Sequence, residues 1–364
     1  MSKRFQWQWI PVILIYAASA LEVVLMVTPF AAFFYSVYTP IIDVLALFEA
    51  TAWLPQFFLP HLAQSTNMQF AVLAYMGPLL AGLGLLGFVV CAGQLYYGKF
   101  VQKKLVSSGL YGRVRHPQYL CLSVSGLGFL LMWPRFFILV TFLGMLGVYY
   151  LLARHEEEVV RQKYGKASER YMARIAMFNP FRAPKRAKGW RPASRAYAFG
   201  VWVSICVLSI SLSFILRMEA ETQLFAVRWE SPNVMAISLM PRDESQIVAT
   251  MESVMSSGPV LTLLEQQPEI FLLLQIANGK AEAEHLLSDL GMKTGAVQLM
   301  QLPLQGEYVA VSYLSSKDRP VAPFSLDTRV NPILFVQTGS PADGPDVRPF
   351  IPEQFYPDFY RIMF

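Results

Sequence analysis

Residues 70–95 read FAVLAYMGPLLAGLGLLGFVVCAGQL and contain no charged side chain. A helix of about 20 apolar residues crosses the hydrocarbon core of a bilayer, so this run is long enough to span it. Residues 10–35 form a second apolar run, interrupted only by Glu22, and no Lys or Arg occurs between Arg4 and Lys99. Both runs are therefore predicted to be transmembrane helices.

The overall composition also indicates a membrane protein, because 54% of the 364 residues are hydrophobic and only 15% are charged. Three further apolar stretches cover about 119–133, 136–152 and 197–216, and the first is short for a full crossing. We predict an α-helical integral membrane bundle of about five transmembrane helices. The amino-terminal run is longer than a signal-peptide core of roughly 7 to 15 residues, so we interpret it as an uncleaved anchor.

The basic residues predict the orientation of these helices, because Lys and Arg near helix ends prefer the cytoplasmic side. Residues 99–115 carry five basic and no acidic side chains, and residues 154–195 carry twelve basic against four acidic. Both segments and the amino terminus are expected to be cytoplasmic, with the carboxyl-terminal domain extracytoplasmic. We expect the membrane to be a bacterial inner membrane.

The pattern changes after residue 216, where ten basic and eighteen acidic residues occur. Short β-like runs cover 234–240, 270–276, 308–314 and 333–338, and helical spacing occurs between the early ones. We predict a soluble α+β domain over 217–364. The predicted division of the chain is a membrane helical domain (1–181), a basic linker (182–196), a final transmembrane helix (197–216) and this domain. The linker's charges either rest on anionic lipid or only set the topology, and we favour the second.

Three further features lie inside predicted spans. Gly82, Gly84 and Gly87 match a dinucleotide-binding fingerprint, but the fingerprint requires a strand-turn-helix unit, so we predict close helix packing instead. Glu22 is costly inside a bilayer, and it either lines a substrate path or is paired or protonated within the bundle. The cysteines show neither a disulfide framework nor metal-ligand spacing, so no metal site is predicted. They are Cys91, Cys121 and Cys206.

Two polar segments flank the predicted hairpin of helices over 119–133 and 136–152. The segment before it contains Gly109, Tyr111, Arg115, His116, Pro117 and Tyr119. The segment after it contains Glu156, Glu157, Tyr164, Gly165 and Tyr171. Because the hairpin returns the chain to one membrane face, and polar groups without partners are costly to bury there, we predict that these segments form a cofactor pocket.

Pro117 is suited to the first turn of a helix, so the helix is predicted to begin there. Its free backbone N–H groups and Arg115 can hold a carboxylate, and His116 and Tyr119 add a donor and a ring face. The alternative is that these side chains only anchor the helix end at the interface.

The acidic segment also allows two interpretations. Arg154 with Glu158 and Glu157 with Arg161 are spaced four apart and could form surface ion pairs worth a few tenths of a kcal/mol each. Against this, adjacent glutamates at the foot of a membrane helix repel one another unless a cation or donor is close to Glu156 and Glu157.

Together the two segments resemble the isoprenylcysteine carboxyl methyltransferases and the related phospholipid methyltransferases. The shared order is Gly-x-Tyr, Arg-His-Pro-x-Tyr, hairpin, Glu-Glu, aromatic-Gly, Tyr, and the similarity covers about residues 70–181. The resemblance implies S-adenosylmethionine bound at the cytosolic face and a lipidic or membrane-embedded acceptor that enters from the bilayer. It implies cofactor binding by Tyr111, His116, Pro117, Tyr119, Glu156 and Glu157. It also implies catalytic roles for Arg115 and Glu157.

The chain departs from that pattern at two positions. Cys121 stands in place of a glycine, and Ser168 in place of a common tyrosine. A carboxylate acceptor needs no general base, whereas an amine must arrive deprotonated. Since no dedicated base stands out, an oxygen or sulfur acceptor is slightly favoured over an amine.

Two other functions remain open at this point. A similar Arg-His motif occurs in membrane sterol reductases, which bind a reduced nicotinamide dinucleotide. Alternatively, the bundle is only an anchor and residues 217–364 bind another envelope protein. No nucleic-acid partner is predicted.

Overall fold

A computed structural model of the chain provides its architecture. It describes residues 10–37, 44–45, 48, 50–51, 53–61, 64–102, 106–181, 194–229, 233–267, 270–290, 292–293, 297, 302–314, 327–329, 331–338, 346–349 and 361–363. The predicted linker over 182–196 lies outside the described residues except for its last three. The chain divides into two compact units, Met1–Pro55 with Tyr75–Ser211 and Gln56–Ala74 with Leu212–Phe364.

Six long or well-described helices precede the sheet within the described residues. They are α1 (Ile10–Val37), α2 (Met68–Tyr97), α3 (Pro117–Met132), α4 (Phe136–Tyr164), α5 (Lys166–Arg174) and α6 (Arg195–Glu221). A π-helical turn over Gly98–Gln102 follows α2, and a 3-10 turn over Gly109–Gly112 precedes α3.

Among the described residues, four helices are long and apolar enough to cross a membrane: α1, α2, α4 and α6. The remaining predicted span is helix α3, which has only 16 residues and falls below that length. Large apolar side chains on α2 face outward, as with Leu86 at 62% and Val89 at 64% exposure. Exposed apolar surface of this kind marks contact with membrane or partners, so these helices indicate a membrane protein.

Helices α2 and α3 approach closely at the glycine stretch. A Cβ added to Gly84 would lie 2.4 Å from the backbone nitrogen of Ser125, and one added to Gly87 would lie 2.8 Å from Cys121 Sγ. Gly82 faces open space, with nothing within 4 Å of an added Cβ. Gly84 and Gly87 therefore serve helix packing, as predicted, because small residues let two backbones approach, whereas Gly82 takes no part in this contact.

Glu22 of α1 forms an ion pair with Lys99, which follows α2. The two side chains are 57% and 36% exposed, respectively. Glu22 is therefore paired, as one interpretation had it, although its side chain is largely exposed rather than enclosed within the bundle. A paired carboxylate is less costly in an apolar environment than an isolated one.

The second unit contains a mixed sheet. Its strands are β1 (Ala226–Trp229), β2 (Val234–Ser238), β3 (Phe271–Asn278), β4 (Glu307–Leu314), β6 (Asn331–Thr338) and β7 (Asp346–Pro349), in the order β1-β2-β3-β4-β6-β7. Strands β5 (Asp327–Arg329) and β8 (Arg361–Met363) form a separate pair. Helices α7 (Glu244–Met255) and α8 (Gly258–Gln266) connect the parallel neighbours β2 and β3, and α9 (Gly279–Asp289) follows β3. The four predicted strand runs correspond to β2, β3, β4 and β6.

Taken together, helices α7 and α8 are also long and apolar enough to cross a membrane, although the chain bends by 76° between them. Its apolar residues Ile247, Met251, Val254 and Val260 are buried in a core with strand residues such as Leu272. Packing against the sheet therefore accounts for the hydrophobicity of these helices.

Candidate functional site

The two polar segments are positioned by helix ends. Helix α3 begins at Pro117, as the sequence predicted, and His116 is its N-cap residue. Helix α4 carries the acidic residues and ends at Tyr164, where Gly165 adopts a positive φ of 50°. Glycine tolerates this conformation, so the chain can turn there and continue as α5, which carries Tyr171.

Main-chain hydrogen bonds join the segment before α3 to the segment after α5. The Arg115 N–H donates to the Ala176 carbonyl at 3.0 Å, and the His116 N–H donates to the Met177 carbonyl at 3.3 Å. Val114 and Ala176 also form a parallel β-bridge. The backbone next to the imidazole is thereby held in one register.

Glu157 is the buried carboxylate of the site, with a side chain only 5% exposed. Its Oε1 lies 2.8 Å from Arg115 Nη1 and 3.3 Å from His116 Nε2. The alternative surface ion pair between Glu157 and Arg161 does not form, because Arg161 pairs with Glu158 at 2.8 Å instead. Glu157 therefore contacts the side chains of Arg115 and His116 rather than a residue on the surface of its own helix.

The imidazole of His116 lies between two carboxylates. Its Nδ1 is 3.3 Å from Glu156 Oε2, while its Nε2 faces Glu157. Burial disfavours the charged ring, but the nearby carboxylates of Glu156 and Glu157 outweigh this and raise the pKa of His116 above its ordinary value. Burial lowers the pKa of Arg115, although the neighbouring Glu157 opposes the shift.

Tyr119 supports these groups from inside the helical bundle. Its hydroxyl donates to Glu156 Oε1, and its ring stacks on His116 with centroids 5.8 Å apart. The Tyr119 ring also stacks on the ring of Tyr149, with the two centroids 4.7 Å apart and an interplanar angle of 23°. Tyr119 is 1% exposed and so limits the orientations open to both His116 and Glu156.

Two further tyrosines close the other side of the site. The Tyr111 hydroxyl donates to Gln118 Oε1 at 3.0 Å, and the Tyr171 hydroxyl donates to the Tyr111 carbonyl at 2.7 Å. Burial raises the pKa of Tyr111 and of Tyr171, so both remain neutral phenols at physiological pH.

These groups surround a cavity of about 110 Å³. Of the predicted site residues, the cavity is lined by Tyr111, Arg115, His116, Glu156 and Glu157. Pro117 and Tyr119 are not among the lining residues. Tyr171, which the sequence analysis placed in the second polar segment, also lines the cavity. Sequence reasoning missed the remaining lining residues, which are Leu95, Val106, Gln118, Val160 and Met172.

Arg115 Nε is buried at the cavity without a hydrogen-bond partner among the described residues. His116 Nδ1 lies 3.3 Å from Glu156 Oε2 but is not aligned with it as a hydrogen bond. Arg115 Nη1 is also poorly aligned with Glu157 despite the short distance, so that contact is ionic rather than a well-formed hydrogen bond. Buried donors without partners are costly, which suggests that a ligand completes them. Within the described part of the chain, no group of three or more His, Cys, Asp or Glu side chains could hold a metal ion.

Residues 79–167, about a quarter of the chain, match the phospholipid methyltransferase family model. This confirms the family resemblance predicted from the motif order, and the match contains the Arg-His-Pro and Glu-Glu segments. No curated protein and no solved structure matches the chain. The family match and the apolar helices together indicate a membrane methyltransferase.

Proposed function

We propose that the protein transfers a methyl group from S-adenosylmethionine to a lipidic or membrane-embedded acceptor. The observation that carries this proposal is the placement of His116 between Glu156 and Glu157, within the segment that matches the methyltransferase family. The two polar segments, which are separated in sequence by the hairpin, thus meet at one cavity that is lined by both positively and negatively charged groups.

The charges at the cavity fit the amino-acid end of this cofactor. The donors Arg115 Nε and His116 Nδ1 suit a carboxylate, and Glu156, with 41% of its side chain exposed, suits a cation. Small-molecule pockets usually measure about 300–1,000 Å³. The cavity of about 110 Å³ therefore takes only part of such a molecule, and binding the whole of it requires the site to widen.

When bound, the cofactor supplies an electrophilic methyl group on a sulfonium. The protein's own residues then orient the reactants, exclude water and balance charge, and such placement can lower a barrier by about 7 kcal/mol or more. Glu156 balances the positive charge, while Arg115, which Glu157 holds in place, fixes the anionic end. Leu95 and Val160 make part of the cavity wall apolar.

The acceptor is proposed to react through oxygen or sulfur. A His116 whose pKa is raised holds its proton at neutral pH more readily and is a poor general base. A carboxylate acceptor avoids the need for a base, and a thiol or amine acceptor must lose its proton elsewhere.

The test is binding of radiolabelled S-adenosylmethionine to the full chain purified in detergent. His116→Ala and Glu157→Ala should abolish binding while helix content persists, and Glu158→Ala serves as the matched control because Glu158 faces outward. Equal binding by the wild type and all three variants would reject the pocket assigned here.

We also propose the orientation predicted from the basic residues, with the site on the cytoplasmic side of a bacterial inner membrane. Impermeant maleimide should label a cysteine introduced at Glu158 only from the cytoplasmic side, and one introduced at Glu252 only from the outside. Labelling of both from one side would contradict this topology.

The alternatives make different predictions. A nicotinamide-dependent reductase would oxidise the reduced dinucleotide, and an envelope-binding protein would keep its cellular role after Glu157→Ala but lose it after deletion of residues 217–364. Nothing in the described residues favours either over methyl transfer.

A further inference from the structure

Two of the three cysteines meet at the contact between α2 and α3. The Sγ atoms of Cys91 and Cys121 lie 3.9 Å apart. Cys91 is fully buried, and Cys121 is partly exposed. A disulfide has a length of about 2.05 Å, so the sulfurs need to approach by about 1.9 Å.

The packing of the helices favours this approach. Gly87 lies one helical turn before Cys91, and a Cβ added to it would be 2.8 Å from Cys121 Sγ. The Cys121 sulfur therefore sits over the space left by a missing side chain, on the face of α2 that also carries Cys91. Because Gly84 brings the two backbones close, a cross-link there needs no large movement of either helix.

We infer that Cys91 and Cys121 form a reversible disulfide that serves as an oxidative modification site. With hydrogen peroxide as the oxidant, one sulfur attacks an oxygen, the O–O bond breaks, and a sulfenic acid and one water result. The second thiol displaces the hydroxyl group as another water and forms the S–S bond. Two thiols thus supply two electrons to one peroxide, and a dithiol reverses the step by thiol–disulfide exchange.

The cross-link would act on the proposed methyl-transfer site, and this part of the inference depends on the proposed function. Cys121 follows Tyr119 by two residues in the first turns of α3, and the Cys91 carbonyl lies 3.5 Å from the Tyr111 hydroxyl. Misplacement by about 1 Å can cost a hundredfold in rate, so oxidation is expected to lower methyl transfer by at least about tenfold.

The experiment treats the full chain in detergent with hydrogen peroxide, quenches it, unfolds it and labels free thiols with a maleimide. Mass spectrometry of the wild type should show Cys206 labelled and a 91–121 cross-linked peptide lighter by two hydrogen atoms. Cys91→Ser and Cys121→Ser should abolish the cross-link, whereas Cys206→Ser should retain it. The cross-link should disappear in dithiothreitol.

Labelling of all three cysteines after peroxide, or a cross-link only between chains, would overturn the inference. A cross-link that forms without lowering the methyl transfer of an active preparation would overturn its regulatory part. The mass readout does not depend on activity, so failure of the proposed function remains distinguishable from failure of the disulfide.

Discussion

Replacing Glu157 with glutamine should strongly destabilise the first unit. The side chain is 5% exposed and contacts Arg115 Nη1 at 2.8 Å and His116 Nε2 at 3.3 Å. The substitution therefore leaves the buried Arg115 guanidinium without a counter-charge and leaves His116 with Glu156 alone. Removing one partner of a buried ion pair costs about 3–5 kcal/mol. Because glutamine keeps the shape and one acceptor oxygen, we expect the low end, about 3 kcal/mol.

The assay is denaturant unfolding in detergent, followed by a fluorescent probe attached to Cys206, which belongs to the same unit. A loss of about 3 kcal/mol corresponds to roughly a hundredfold change in the folding equilibrium, since each 1.4 kcal/mol is about tenfold. Glu158→Gln is the matched control, because it removes an adjacent carboxylate whose side chain is 45% exposed. If both variants unfold at the same denaturant concentration, Glu157 does not hold the two cations as described.

Three further outcomes are expected. Tyr119→Phe removes the donor to Glu156 but keeps the stacked ring, so labelled-cofactor affinity should fall about fivefold, in line with a lost hydrogen bond of about 1 kcal/mol; unchanged affinity would contradict the positioning role. Gly84→Ala should lower the thermal midpoint because its Cβ meets α3, whereas Gly82→Ala faces open space and should be neutral or stabilising by up to about 1 kcal/mol; equal midpoints would refute the packing. The pKa of His116 is raised, so its stabilising contribution is complete below the unfolded pKa of about 6.5 and is lost as pH rises through the folded value. The thermal midpoint should therefore fall with pH above about 6.5 in the wild type and less steeply in His116→Asn.

Local sequence signals predicted much of the architecture. Apolar runs corresponded to helices, and four β-like runs corresponded to β2, β3, β4 and β6. The short strands β1 (Ala226–Trp229) and β7 (Asp346–Pro349) were missed because four residues carry too little periodicity. The parallel pairing of β2 with β3 is a contact between distant segments, so no local pattern announces it.

The candidate site was partly predictable for similar reasons. Motif spacing and Pro117 correctly located the start of α3, and the hairpin argument brought His116 towards the two glutamates. What the spacing alone did not predict was the difference between Glu156 and Glu157. Successive helical residues point about 100° apart, so one carboxylate is half-exposed and the other buried. Tyr149 precedes Glu156 by two helical turns and therefore lies on its face, which was an overlooked signal.

The main-chain hydrogen bonds from Arg115 and His116 to Ala176 and Met177 have an evolutionary consequence. The acceptors of these hydrogen bonds are carbonyl oxygens, which every residue type supplies. Selection to keep the hydrogen bonds therefore imposes little constraint on the identities of residues 176 and 177. Neither residue lines the cavity, so drift at these two positions can proceed while the imidazole keeps its place. The charged centre is thereby insulated from sequence change in the segment that holds it.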